Sequence, residues 1–158
     1  MGRAVAVVQP RSLAKGLVAG LIGGFAGTIA KTFAERLFPP RTDGEPEPPE
    51  VLAEQVAGPA LAPGMKAIAG ESIHWGFGLA VGAAYGALAE FYPAATAKEG
   101  ASFGMALEAL THEGALPVLG LSAEPEDQTP RARASEMTSH VVYGVSTEIV
   151  RRFVRRRL

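Results

Sequence analysis

The chain has no cysteine and a single tryptophan, and aromatic side chains make up only 7% of its 158 residues. The missing cysteines exclude disulfides, a thiolate nucleophile and any cysteine-ligated zinc site. A phosphate-cradling glycine loop is also missing, and Ser72, Ser139 and Ser146, although close in sequence to histidines, lack a nucleophile elbow or a third partner in recognisable order. Met1-Gly2 does not open a myristoylation signal, because Ala6 stands where serine or threonine is required. No enzyme class is therefore expected, and a formal net charge of −1 selects no partner.

What the chain does have is glycine, 19 residues of it, beside a 47% hydrophobic content. Residues 16–30 carry no charge between Lys15 and Lys31, and place glycines at 16, 20, 23, 24 and 27. Small residues four apart let a neighbouring helix backbone approach closely, the packing that a bilayer favours because lipid supplies no hydrophobic push between helices. Ser12 can cap a helix over 13–37 that Pro39-Pro40 must stop, and about 25 residues at ~1.5 Å each span a hydrocarbon layer of about 30 Å. Further helices are expected over 65–92, 101–116 and 135–154, with a solvated Glu/Pro linker over 41–64 that holds one helical turn around Val51 to Gln55. The third segment is interrupted by Glu108, His112 and Glu113, so that side must face protein or water. The expected fold is all-α, a multi-pass membrane four-helix bundle with glycine-rich helix seams.

Charge placement orients such a bundle. Arg3, Arg11, Lys15, Lys98 and the five arginines Arg151, Arg152, Arg155, Arg156 and Arg157 fall on one side of four spans, nine of the 15 basic residues. Positive-inside orientation then puts both termini in the cytoplasm, with the basic lead read as retained. The Glu/Pro linker and the acidic turn 124–127 fall opposite, while Arg41, Lys66, Arg131 and Arg133 dilute the bias. The arginine tail reads as an anchor for anionic lipid headgroups and not as a nucleic-acid site.

A period of four recurs in every segment: Gly16, Gly20 and Gly24; His74, Gly78, Gly82, Gly86 and Glu90; Gly104, Glu108 and His112; Glu136, His140, Gly144 and Glu148. Each step overshoots one turn by about 40°, so successive members are neighbours on a slowly winding stripe. Gly16, Gly20, Gly24, Gly78, Gly82, Gly86 and Gly144 are the helix-packing candidates, a glycine zipper. Every histidine has a glutamate at helical spacing: Glu71 with His74, Glu108 with His112, Glu136 with His140. A carboxylate beside an imidazole stabilises the charged ring, which makes these six residues candidates for a proton-responsive switch. Glu71-Ser72-Ile73-His74 has the Glu-x-x-His spacing of di-metal carboxylate sites, but a second copy is missing, and no haem attachment motif is present. No cofactor or metal is therefore assigned from sequence.

In the order of its features the chain resembles the YagU-like family of bacterial inner-membrane proteins, whose biochemical activity is unknown. The resemblance rests on Glu35-Arg36 and Pro39-Pro40-Arg41 closing the first helix, His74 to Ala89-Glu90 before Pro93, the Pro117-Val118-Leu119-Gly120-Leu121 break, and Ser135-Glu136 to His140 followed by Glu148-Ile149-Val150-Arg151-Arg152. It implies a multi-pass inner-membrane protein with a link to acid tolerance, and transfers no catalytic residue. The expected function is a membrane protein whose Glu/His pairs respond to pH. The alternatives are a proton or small-solute channel or transporter subunit, with a wet path along Glu108, His112 and Glu113, and a metal- or haem-binding membrane protein. The expected partners are the lipid bilayer and a homo-oligomer or larger membrane complex.

Overall fold

The computed structural model describes residues 10–41 and 45–158, all-helical and without a strand among them. Arg3, one of the charges used for orientation, lies outside the described residues. Helix α1 (Leu13–Leu37) starts where the Ser12 hydroxyl accepts the Lys15 amide and ends just before Pro39-Pro40. Helix α2 (Pro48–Ala57) occupies the stretch expected to be linker. It forms because Pro48 sits in its first turn and because Pro48 and Ala53 find burial, with Glu50 lying over Gly70 of the next helix. Helix α3 (Pro63–Phe91) again opens on proline and stops ahead of Pro93.

A 3₁₀ segment (Pro93–Gly100) follows, bent where Lys98, Glu99 and Gly100 take left-handed backbone angles, φ 52°, 56° and 88°. Helix α4 (Ala101–Leu110) widens into a π-turn (Thr111–Ala115) and a last turn, α5 (Leu116–Val118). Pro117 has no amide hydrogen to continue the ladder, and Gly120, at φ 67°, closes it. The Leu121 amide reaches the Leu116 carbonyl and the Gly120 amide that of Pro117, the paired bonds of a Schellman cap. Helix α6 (Pro130–Arg155) begins five residues ahead of the expected 135 because Thr129 caps it, accepting the Ala132 amide at 3.1 Å, with Pro130 in the first turn.

Helix α1 is central, with α3 and α6 packed on it, α4 on α6 and α2 on α3. Both neighbours run antiparallel to it, since Gly16 meets Gly86 and Glu90 while Gly24 meets Gly78 and Gly82, and Gly23 meets Thr147 and Arg151 while Gly27 meets Tyr143 and Thr147. The approach is backbone to backbone. A Cβ on Gly82 would sit 2.4 Å from the Gly24 Cα, and one on Gly104 would sit 2.1 Å from the His140 carbonyl oxygen.

The polarity of the molecule is inverted. The largest fully buried side chains are Tyr85, Glu148, Thr28, Thr147, Ser135 and Ser139, whereas on α1 Leu17, Leu21, Ile22, Phe25, Ile29 and Phe33 are exposed. Among the described residues, α1 is the one helix long and apolar enough to cross a membrane.

The seam yields a prediction. Gly82→Ala must push α1 and α3 apart and is expected to lower unfolding stability by ~1–3 kcal/mol. Gly76→Ala, on the same helix with nothing within 4 Å, should instead gain ~0.5–1 kcal/mol from reduced backbone freedom. Thermal unfolding of the two proteins in detergent reads the opposite signs.

Candidate functional site

The glycine seam ends at Gly24, Gly27 and Gly78, and beyond it α1 presents Thr28, Lys31, Thr32 and Glu35. A chamber of about 630 Å³ opens there, walled by α1, α3, the α4 π-turn and α6, with Pro39-Pro40-Arg41 and the start of α2 at its far end. Its floor is a bond from the Tyr143 hydroxyl to the Gly78 carbonyl at 2.6 Å. All three histidines line this one chamber. Its ionisable wall holds five carboxylates, Glu35, Glu45, Glu47, Glu71 and Glu136, against three cations, Lys31, Arg36 and Arg41.

Glu136 is the most connected of these groups. One carboxylate oxygen, Oε1, accepts from Arg41 Nη2 at 2.8 Å across 95 positions of sequence. The other, Oε2, lies 3.5 Å from His112 Nε2 and 3.8 Å from His140 Nδ1, is buried, and has no hydrogen-bond partner. The two imidazoles stand edge to face, with ring centres 4.9 Å apart. His140 Nδ1 is 2.8 Å from the Glu136 carbonyl oxygen. A carbonyl only accepts, so Nδ1 carries the ring proton and Nε2 keeps the lone pair. Lys31 is paired with Glu35 on the adjacent turn, and Ser139 donates to Glu35 at 3.3 Å.

The sequence-derived Glu/His pairs are distributed differently from their spacing. Glu71 accepts the Trp75 indole N–H at 3.0 Å, while His74 Nε2 lies 3.5 Å from the Thr32 hydroxyl. Glu108 is buried along a second, smaller cavity with Glu113 and Arg133, and its Oε2 has no hydrogen-bond partner. His112, four residues on, turns into the main chamber because the helix has widened to π geometry at that point. Glu136 and His140 share a face of α6, joined by His112 from another element.

At the opposite end of the bundle the arginine tail divides. Arg151 is buried, giving Glu148 two bonds of 2.6 and 2.8 Å, and Tyr85 donates to the same carboxylate at 2.9 Å. Arg155 is buried against Glu90, whose Oε2 also accepts the Ser12 amide at 3.0 Å. Arg152 is half-buried and reaches Glu148 at 3.2 Å, and Arg156 and Arg157 are exposed. Three of the five arginines thus spend their charge on carboxylates of the bundle. Gly144, the packing candidate on α6, meets Gly100 and Gly104.

Lys31, Glu35 and Arg41 entered the sequence reading as helix-boundary and charge-balance residues and not as site candidates. The first two do carry a signal, opposite charges four apart on one helix. Arg41 carries none, because its partner is 95 residues away.

Two buried carboxylates are expected to respond oppositely to removal. Glu148→Met strands Arg151 without a counter-charge and should cost ~3–5 kcal/mol. Glu108→Met removes an unpartnered carboxylate oxygen and should raise stability by ~1–3 kcal/mol, both read from unfolding midpoints.

Comparison with known proteins bears on the chain as a whole. No curated protein and no solved structure matches it. The family described as "Protein of unknown function (DUF1440)" matches residues 25–149, a range that takes in the chamber from Thr28 to Tyr143. The chain belongs to the DUF1440 family.

Proposed function

We propose that this chain is a multi-pass bacterial inner-membrane protein, a four-crossing bundle, that holds a small polar solute of cationic character in the chamber beneath Pro39-Pro40-Arg41. The observation that carries the reading is the chamber wall, where three imidazoles and five carboxylates from α1, α3, the π-turn, α6 and the α1–α2 connection face one cavity against three cations. Ionisable side chains inside a membrane bundle are costly and are retained where they line a solute or ion path. Such a wall suits a binding or transport subunit better than three separate pH-responsive pairs, since Glu71 takes the Trp75 indole and not His74 as its hydrogen-bond partner and Glu108 lines a different cavity from His112.

The inverted polarity supports the membrane address. Soluble monomers seldom leave a broad apolar patch uncovered, whereas lipid covers an apolar exterior and favours close backbone packing within. In this reading α3 and α6 cross beside α1, their ion pairs turned inward. The 3₁₀ segment with α4 and its π-turn makes the remaining crossing, an irregular backbone that a bilayer tolerates where protein or a wet cavity covers it. The YagU-like resemblance points to the same membrane. Arg11, Lys15, Lys98, Arg156 and Arg157 cluster at the end away from the chamber, so positive-inside orientation leaves both termini cytoplasmic and turns the chamber mouth outward.

The absence of native cysteine makes the test clean. Val81→Cys, on the chamber wall, is expected to react with a charged, membrane-impermeant thiol reagent added outside intact cells, while Ile22→Cys, on the apolar exterior of α1, stays unreacted. Failure of Val81→Cys to react in permeabilised cells as well would overturn the wet chamber; reaction only after permeabilisation would reverse the orientation.

A further inference from the structure

Within the chamber, one group of side chains has the composition and spacing of a metal site. His112, Glu136 and His140 each offer a ligand atom, and these lie within 4.8 Å of one another. We propose that they bind a first-row divalent transition cation of the zinc class, through two imidazole nitrogens and one carboxylate oxygen. The proposal rests on the chamber reading only for the route by which the ion arrives.

Four observations point the same way. First, His112 Nε2 and Glu136 Oε2 are 3.5 Å apart, too long for a firm hydrogen bond, yet close to the ~3.4 Å that separates two ligands each ~2.1 Å from a tetrahedral ion. Second, Glu136 Oε2 is buried and has no hydrogen-bond partner. A carboxylate oxygen sealed from water without a donor is costly, and an ion satisfies it. Third, the surroundings are already arranged as an outer shell. Arg41 holds Oε1 and so aims Oε2 at the imidazoles, and His140 donates a hydrogen bond from its Nδ1–H to the Glu136 carbonyl, which leaves Nε2 as the ring nitrogen with a lone pair for a metal.

Fourth, charge permits it. The nearest cations are spoken for, Lys31 by Glu35 and Arg41 by Glu136 itself, and the wall as a whole carries more carboxylates than cations. Two imidazoles select against magnesium and calcium, which prefer an all-oxygen shell. Three protein ligands leave at least one position of a tetrahedral ion open toward the cavity, the arrangement of sites that bind or activate a further ligand and not of closed structural sites.

Cobalt(II) is the probe, because a tetrahedral or five-coordinate ion in such a site gives visible ligand-field bands far more intense than the weak band of hexaaqua cobalt. Titrated into the full chain in detergent, Co(II) should bind one per chain, yield to Zn(II), and ignore excess Mg(II). His112→Ala removes a ligand itself and should weaken binding by at least about a hundredfold, the upper end of what outer-shell changes cost, and Glu136→Gln should act likewise at almost unchanged side-chain volume. Glu99→Gln, which removes an exposed carboxylate at the opposite end of the bundle, should bind as the unaltered chain does.

No stoichiometric Co(II) spectrum in the unaltered, helical protein would overturn the site, as would equal binding by His112→Ala, Glu136→Gln and the parent. Thiol labelling of Val81→Cys separates the two ideas. A labelled chamber without Co(II) uptake refutes the metal and leaves the chamber, whereas an unlabelled chamber refutes the chamber whatever the metal result.

Discussion

The close approach of the α1 backbone to two neighbours at once is the constraint on which the rest depends. Gly16, Gly20 and Gly24 face α3, and Gly23 and Gly27 face α6, so one helix carries two glycine-lined contacts. Contacts this short leave no room for the branched apolar side chains that fill an ordinary core. The interior is instead furnished with hydroxyls and carboxylate–arginine pairs, and the bulky residues of α1 point outward. Burying charge is tolerable only when each charge is answered. The Tyr85–Glu148–Arg151 and Glu90–Arg155 groups meet that condition at the end of the bundle opposite the chamber.

The chamber begins where this close approach stops. Once α1 passes Gly27, its inward residues become Thr28, Lys31, Thr32 and Glu35, whose side chains line open volume. The same helix is therefore a sealed contact over one half and a polar wall over the other. Tyr143, bonded to the Gly78 carbonyl, marks the division. The π-turn adds the remaining ingredient by directing His112 into the cavity while Glu108, one turn earlier, lines a different one.

The all-helical character and the limits of α1 were legible because both are written locally, in a charge-free run bounded by Ser12 and by Pro39-Pro40. Of helix α2 only the turn around Val51 to Gln55 was legible, since its Glu/Pro composition describes a solvated linker and contact with α3 is what extends the helix over Pro48–Ala57. The histidines drew attention through their spacing from glutamates, yet spacing speaks only of one helix. Glu136 meets His112 from a separate element and Arg41 from 95 residues away, and neither relation leaves a trace in local sequence. The pairing of Glu108 with His112 assumed α-helical pitch through residues that adopt π geometry. The arginine tail was similarly ambiguous: Glu148 stands at i−3 from Arg151, a visible neighbour, whereas Glu90 and Arg155 are joined only by the antiparallel arrangement of α3 and α6 about α1.

That arrangement has a consequence for biogenesis. Chains emerge amino-terminus first, and early segments must wait for late ones. Helices α1 and α3 can dock as soon as both are made, because their glycine contact is complete without other partners. The chamber cannot, since its floor, through Tyr143, and two of its central groups, Glu136 and His140, are supplied by α6, which is made after both. Until then Lys31, Glu35, Arg41 and His112 line an unfinished wall. The protein thus acquires its polar chamber only once α6 is made, and α1 docked on α3 without it would be a packed helical hairpin with no chamber to use.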